Sequence, residues 1–164
     1  MSIILIGMPS CGKSTLGVLL AKRLGYRFID SDLLIQETEG KLLHEIISEC
    51  GNEGFLDVEE RVNASITDEK AVIATGGSVI YRDYAMQKLK EMGKIVYLQL
   101  SYEIIESRLG DLKKRGVALK EGFTLKELYD ERTPLYEKYA DITVTLCGKS
   151  IAESVQQVVK AIGR

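Results

Sequence analysis

Short apolar runs alternate with segments of helical periodicity along this chain. The first run, Ser2–Ile6, is continuous and ends at Gly7, which is typical of a strand buried on both faces of a parallel sheet. After a glycine-containing loop, residues 15–24 carry leucines at helical spacing, and the pattern stops at Gly25. This order of strand, loop and helix predicts the opening of an α/β unit.

The same alternation continues to the end of the chain. Further strands are predicted at residues 27–29, 71–75, 95–100 and 142–146. Further helices are predicted near residues 33–37, 42–50, 53–67, 83–92, 102–109, 125–139 and 151–162. We therefore expect a three-layer α/β/α fold with a mostly parallel five-stranded sheet, whose ligands bind at the carboxyl ends of the strands.

Length and composition favour one compact domain that acts on a small molecule. With 164 residues and neither a repeat nor a linker, the chain is expected to form a single domain over residues 1–164. A net charge of −2 argues against nucleic acid as a partner. The apolar runs are far shorter than the ~20 residues of a membrane span, and no leader pattern precedes the first. We expect a cytoplasmic protein and, by default, a monomer.

Cysteine and histidine offer little chemistry here. The three cysteines are far apart and include no C-x-x-C pair, so they predict reduced thiols rather than a disulfide framework or a zinc site. His44 is the only histidine and lies in an apolar stretch, so a hydrolase triad or a histidine metal site is not expected. His44 is expected to be structural.

A phosphate-binding motif joins the first predicted strand to the first predicted helix. The segment Gly7-Met-Pro-Ser10-Cys11-Gly12-Lys13-Ser14-Thr15 fits G-x-x-x-x-G-K-[ST]. Its glycines allow backbone N–H groups to face phosphate oxygens, and the following helix adds its positive end. Lys13 is expected to span the β- and γ-phosphates and Ser14 to coordinate Mg²⁺. The motif alone distinguishes neither ATP from GTP nor transfer from hydrolysis, but no guanine-specificity motif N-K-x-D is present.

Two carboxylates follow the second predicted strand. Asp30 and Asp32 are separated by one residue, and residues two apart in an extended segment point the same way, so both are expected to face the phosphate loop. One would hold Mg²⁺ through water, and the other would accept the proton of an attacking hydroxyl. The alternative is an ordinary acidic helix start, because Asp and Ser are favoured N-cap residues.

A polar segment at about 110–124 interrupts the helical pattern. It mixes basic residues with glycine, which predicts either a plain surface connection or a lid over the phosphate site. The phosphate motif favours the lid.

From these motifs onward the chain resembles the shikimate kinase family, and the resemblance covers almost its whole length. The Asp30-Ser31-Asp32 element resembles the family's D-[ST]-D, and residues 51–60 resemble G-E-x-x-F-R-x-x-E. Residues 74–78 resemble the family's triple-glycine segment, and residues 131–136 resemble E-R-x-P-L-Y. The resemblance implies an ATP- and Mg²⁺-dependent kinase of aromatic amino acid biosynthesis that phosphorylates a hydroxyl of shikimate.

The resemblance also implies a role for each site residue. Ser14 and Asp30 would serve Mg²⁺, and Asp32 would bind the acceptor hydroxyls and orient or deprotonate the attacking one. On the nucleotide side, phosphate contacts would come from the loop (Gly7, Ser10, Cys11, Gly12, Lys13, Ser14 and Thr15). The acceptor contacts would be the N–H groups of Gly76 and Gly77 and the guanidinium of Arg132, which pairs with a carboxylate. Arg108 would lie against the adenine, and Arg115 in the lid would neutralise charge on the transferring phosphate.

Two positions depart from the family pattern on the acceptor side. Leu56 stands where the family has an arginine that pairs with the substrate carboxylate, and Ser78 replaces the third glycine. Losing one charge-assisted contact to an anion costs on the order of 1.5–3 kcal/mol, or roughly tenfold to a hundredfold in affinity. The lid also reads Arg115-Gly-Val rather than the family's R-P-L.

Two alternatives to a shikimate kinase stay open. The first is the same chemistry on another small hydroxylated acceptor, such as a hydroxy acid, a sugar acid or an amino acid, because Leu56 removes a carboxylate partner. Gluconate kinases share the expected architecture. The second is a nucleotide-binding regulatory protein with little turnover, although retention of the acceptor-side residues Asp32 and Arg132 argues against it.

Overall fold

The computed structural model describes residues 1–109, 122–147 and 150–164. Within these residues five parallel strands form one sheet, in the order β2-β3-β1-β4-β5. The strands are β1 (Ser2–Ile6), β2 (Arg27–Asp30), β3 (Ala71–Ala74), β4 (Gly93–Gln99) and β5 (Ile142–Thr145). The helices are α1 (Lys13–Leu24), α2 (Ser31–Glu39), α3 (Leu43–Ala64), α4 (Asp83–Met92), α5 (Tyr102–Arg108), α6 (Leu125–Tyr139) and α7 (Ile151–Ala161).

The central strands are buried on both faces, as their continuous apolar sequences predict. Every residue of β1 and of β3 is buried, and helices cover both sides of the sheet. The α/β fold with a five-stranded parallel sheet is therefore confirmed. Helices α4 and α6 also have the predicted bounds, while a single 3₁₀ turn at Val79–Tyr81 was not expected from the sequence.

Helix α3 consists of two helical segments, as predicted. The sequence predicts separate helices at residues 42–50 and 53–67, and the run Leu43–Ala64 is interrupted between them by non-helical angles at Gly51 (φ 71°, ψ 179°). A left-handed φ of this kind favours glycine. The helix resumes directly after the break, so the kink redirects the chain without a loop.

A small second core lies between α2 and α3. Ile35 of α2 packs with Ile46, Phe55 and Val62 of α3, separately from the main core around the sheet. This packing holds the second half of α3 beside the carboxyl edge of the sheet.

Two other expectations concern the lid and the membrane. Of the predicted lid at 110–124, residues 110–121 lie outside the described residues. In the part of the chain that is described, no helix is both long enough and apolar enough to span a bilayer.

Candidate active site

The phosphate loop leads from the end of β1 directly into α1. Gly12 precedes the helix in a left-handed conformation (φ 96°), and Ser10 is a non-glycine residue with positive φ (62°). Gly7 also needs its missing side chain, because a Cβ would lie 2.8 Å from the carbonyl oxygen of Leu98. These turns form a compact loop at the start of a helix, where the first N–H groups have no intrahelical carbonyl partner.

Lys13 is held by the loop that precedes it. Its ammonium group donates to the carbonyl oxygens of Gly7 (2.7 Å) and Met8 (2.9 Å) and lies 3.6 Å from the sulfur of Cys11. The Cys11 side chain itself is buried. The lysine is nearly buried yet lines the cleft described below.

Asp30 caps a helix and also contacts the phosphate loop. One carboxylate oxygen accepts from the backbone N–H groups of Asp32 and Leu33 and thereby caps α2. The other oxygen accepts from the Ser14 hydroxyl at 2.6 Å. The cap therefore orients a carboxylate oxygen toward the phosphate loop.

The prediction that Asp30 and Asp32 lie on one extended segment is wrong. The strand ends at Asp30 and α2 begins at Ser31, so Asp32 lies in the first turn of a helix. Both carboxylates nevertheless reach the same region, because the helix turns the Asp32 side chain back toward Lys13 and Gly76. Burial, reinforced by the nearby Asp30 charge and opposed by Lys13, raises the pKa of Asp32 to about 6.

Gly76 and Gly77 follow β3 and are surrounded by functional side chains. A Cβ on Gly76 would lie 2.6 Å from Glu59 Oε2 and 2.9 Å from Asp32 Oδ1. A Cβ on Gly77 would lie 2.9 Å from Arg132 Nη1. Any side chain at either position would therefore displace these groups.

Glu59 was not singled out as a site residue from the sequence. It is 1% exposed, and its Oε1 accepts from the Ser78 hydroxyl at 2.7 Å, while Oε2 has no hydrogen-bond donor within the described part of the chain. Burial is the main cause that raises the pKa of Glu59 to about 7, and the Asp32 charge adds to it. The only sequence signal for this residue was the last Glu of the G-E-x-x-F-R-x-x-E pattern.

Arg132 is buried on α6 and is held by two tyrosines. Its guanidinium carbon lies 5.3 Å from the ring centroid of Tyr81, and its Nε donates to the Tyr81 hydroxyl at 3.3 Å. Tyr136, one turn along the helix, donates its hydroxyl to the carbonyl oxygen of Gly77 at 2.6 Å and packs against the ring of Tyr97. The arginine is thereby fixed beside the glycine segment, and no sequence pattern had pointed to Tyr81.

These groups line one cleft with a volume of about 320 Å³. It is bordered by the phosphate loop, α2, α3, the glycine segment and α6, and its lining residues include Lys13, Ser14, Asp32, Leu43, Phe55, Glu59, Gly76, Gly77, Ser78 and Arg132. Among the described lining residues, the cationic side chains are Lys13 and Arg132. Among the described residues at the cleft, no other Lys or Arg therefore replaces the arginine that the family pattern has at position 56.

A second cavity of about 140 Å³ lies on the other side of the phosphate loop. Arg108, at the end of α5, borders it together with Cys11, Gly12, Leu16 and residues of the β5–α7 region. The Arg108 guanidinium also donates to the carbonyl oxygen of Ser10 at 3.4 Å. Arg108 is thus adjacent to the nucleotide loop, whereas Arg115 lies outside the described residues.

Ser14 and Asp30 are suited to magnesium. A hydroxyl and a carboxylate 2.6 Å apart are the hard oxygen donors that Mg²⁺ prefers. In the described residues, no group of three or more His, Cys, Asp or Glu side chains could form a metal cage. The donor set therefore fits an ion that keeps several waters and phosphate oxygens as ligands.

Comparison with known proteins agrees with this geometry. The family model described as shikimate kinase matches residues 9–163. The chain belongs to the shikimate kinase family. A shikimate kinase from Thermodesulfovibrio yellowstonii is 39% identical to it, with 99% of this chain and 95% of the relative covered.

Solved structures of the shikimate kinase family have the same fold. The structure of the Acinetobacter baumannii shikimate kinase in complex with shikimate matches with a TM-score of 0.87 and 29% identity, over 98% of this chain and 92% of that one. The Aquifex aeolicus shikimate kinase matches with a TM-score of 0.80 and 30% identity, over 99% and 96%. The family predicted from the ordered motifs is confirmed.

Proposed function

We propose that this protein transfers the γ-phosphoryl group of ATP to a hydroxyl of shikimate. The observation that carries the proposal is that Lys13, Asp32 and Arg132 line a single cleft, although they are far apart in sequence. A phosphate-binding cation, a carboxylate and a carboxylate-binding cation are what a hydroxylated acid needs to receive a phosphoryl group.

The nucleotide half of the mechanism relies on the phosphate loop. Its N–H groups and the start of α1 bind the phosphates, and Lys13 balances charge on the β- and γ-phosphates. Bound Mg²⁺ would supply further charge neutralisation, and Ser14 and Asp30 would hold it. The base of ATP would occupy the cavity bordered by Arg108.

The acceptor half relies on Asp32 and Arg132. Asp32 orients the attacking hydroxyl and takes its proton, a task that requires the ionised carboxylate. Because the pKa of Asp32 is raised to about 6, kcat/KM for the acceptor should fall as the pH drops through 6. Arg132 binds the acceptor carboxylate, and the N–H groups of Gly76 and Gly77 contact the rest of the molecule.

The test is coupled ADP release with purified protein, Mg²⁺ and ATP. Shikimate is compared with a panel of hydroxy acids, sugar acids and hydroxy amino acids. Fast turnover selective for shikimate supports the proposal. Activity on another acceptor with negligible turnover of shikimate would overturn the substrate assignment while keeping the kinase chemistry.

One observation favours a second candidate, a kinase for a different small hydroxylated acceptor. Leu56 supplies no charge where the family pattern has an arginine, and Arg132 is the described acceptor-side cation at the cleft. An acceptor with a weaker demand for carboxylate pairing would suit this arrangement. The same substrate panel separates the two candidates.

The proposal also includes a cytoplasmic, monomeric enzyme. Free cysteines at positions 11, 50 and 147 suit a reducing compartment. Cell fractionation tests the location, and light scattering of the purified protein tests the oligomeric state.

A further inference from the structure

The two acceptor-side departures from the family pattern, Leu56 and Ser78, are both neighbours of one buried carboxyl group. Glu59 follows Leu56 by three residues on α3, a spacing at which side chains on a helix are adjacent. Ser78 approaches the same carboxyl group from the turn after β3 and donates its hydroxyl to Glu59 Oε1 at 2.7 Å. Of the two acceptor-side positions, Ser78 therefore contacts Glu59 by a hydrogen bond, and position 56 lies about one turn of α3 before it.

Glu59 is short of hydrogen-bond donors. It is 1% exposed, and within the described residues it forms no ion pair and accepts one side-chain hydrogen bond, from Ser78. The charged groups that face it are Asp32 from α2, Lys13 from α1 and Arg132 from α6. Its second oxygen points to Gly76, where a Cβ would meet it at 2.6 Å, and it borders the acceptor side of the cleft.

A buried carboxyl group needs a donor to remain in a fixed orientation and to remain ionised. An arginine at position 56 would stand one helical turn away and could donate to Glu59, whereas leucine has no donor. A glycine at position 78 would likewise offer no side-chain donor. Because this protein has leucine at position 56 and serine at position 78, the Ser78 hydroxyl is the side-chain donor available to the Glu59 carboxyl group.

We propose that Ser78 is a positioning residue for acceptor binding: its hydroxyl holds Glu59 with Oε2 directed at the Gly76 and Asp32 wall of the cleft, in place of a cationic partner that Leu56 does not supply. The inference rests on the proposed function. It makes positions 56 and 78 an interdependent pair that sets acceptor affinity, without a direct role in nucleotide binding.

The first experiment compares Ser78→Ala with the unmodified enzyme in steady-state kinetics. Loss of one hydrogen bond to a buried carboxyl group should raise the KM for shikimate about tenfold and leave the KM for ATP within about twofold. Ser78→Thr, which keeps a hydroxyl, should restore most of the affinity. Ser2→Ala is the matched control, because the buried Ser2 hydroxyl donates to the Asp68 carbonyl away from the cleft.

The second experiment tests the interdependence. Ser78→Ala is introduced into a Leu56→Arg background, where the guanidinium can donate to Glu59. Its effect on the KM for shikimate should shrink from about tenfold to about twofold or less. An equal effect of Ser78→Ala in both backgrounds, or an unchanged KM for shikimate in the single variant, would overturn the inference.

A measurement without turnover separates this inference from the proposed function. Carbon-13 NMR titration of Glu59 should show a higher pKa in Ser78→Ala than in the unmodified protein, and a smaller increase when Leu56→Arg is also present. An unchanged pKa in Ser78→Ala would overturn the positioning role. If shikimate is not phosphorylated at all while the pKa changes as expected, the substrate assignment fails and the positioning role stands.

Discussion

The two walls of the cleft differ in the kind of group that lines them: a backbone loop on the nucleotide side and side chains from separate helices on the acceptor side. On the nucleotide side, a loop with unusual backbone angles at Gly7, Ser10 and Gly12 surrounds Lys13 and presents a helix start. On the acceptor side, the decisive groups are side chains from three separate helices, namely the half-buried Asp32 and the buried Glu59 and Arg132.

This difference separates a general task from a specific one. Backbone N–H groups bind any phosphate chain, so the nucleotide wall needs only a short contiguous segment. Recognising one acceptor requires charged groups at fixed points, and there burial, reinforced by a neighbouring carboxylate, raises the pKa values of Asp32 and Glu59. We therefore expect substitutions on the two walls to impair activity in different ways.

The largest effect is expected at the nucleotide wall. Lys13→Ala should lower turnover by about a thousandfold or more, because the transferring phosphoryl group loses its main protein cation. Coupled ADP release measures this. Lys22→Ala, on the exposed face of the same helix, is the control and should keep normal turnover. Substantial turnover in Lys13→Ala would show that Lys13 is not required for phosphoryl transfer.

The next effect distinguishes the acceptor wall from the nucleotide wall. Asp32→Asn should reduce turnover by about a hundredfold to ten-thousandfold, because the amide cannot accept the proton of the attacking hydroxyl. ATP binding, measured by calorimetry, should stay nearly intact. Asp130→Asn, at an exposed position on α6, is the matched control. Normal turnover in Asp32→Asn would make the acceptor assignment wrong.

A third prediction concerns what the buried acid does to stability. The pKa of Glu59 is about 7 in the folded protein and ordinarily 4.5, so ionisation favours the unfolded chain as the pH rises from 4.5 through 7. Glu59→Gln changes the free energy of unfolding at each pH, and this change should be more stabilising at pH 8 than at pH 4. The difference between the two changes should be at most about 3 kcal/mol. Urea denaturation at both pH values measures the difference.

The control for this stability prediction is Glu60→Gln, the neighbouring position on the same helix. The pH dependence of its effect on the free energy of unfolding is measured in the same way and subtracted from that of Glu59→Gln. If Glu59→Gln has the same effect on the free energy of unfolding at pH 4 and pH 8, the burial of an ionising group at this position is disproved.

The smallest change in activity is expected when the arginine of the family pattern is restored at position 56. Leu56→Arg should raise kcat/KM for shikimate at least several-fold, because a second guanidinium would reach the acceptor carboxylate. Val18→Arg, at an exposed position on α1, controls for the added charge alone. No change or a loss of activity in Leu56→Arg would show that the pocket is built for a different acceptor.

The sequence predicted the nucleotide wall better than the acceptor wall for a physical reason. A contiguous loop between a strand and a helix is visible as a motif, so the positions of Gly7, Lys13 and Ser14 followed from spacing. The orientation of Asp32 did not follow from spacing, because α2 begins at Ser31 rather than near residue 33, and a side chain in the first turn of a helix points differently from one on an extended segment. Contacts such as those of Tyr81 with Arg132 and of Ser78 with Glu59 join distant segments, and local pattern carries no information about them.

The pairing of β1 with β3 has a consequence for how the enzyme can move. Leu5 stands opposite Ala74, and the backbone N–H and the hydroxyl of Thr75 both bond to the Leu5 carbonyl oxygen. The phosphate loop follows β1 and the glycine segment follows β3. These hydrogen bonds therefore fix the starting points of the two loops relative to each other. We therefore expect any opening and closing of the cleft to come from elements at its periphery, and amide hydrogen exchange to be slowest along the paired strands β1 and β3.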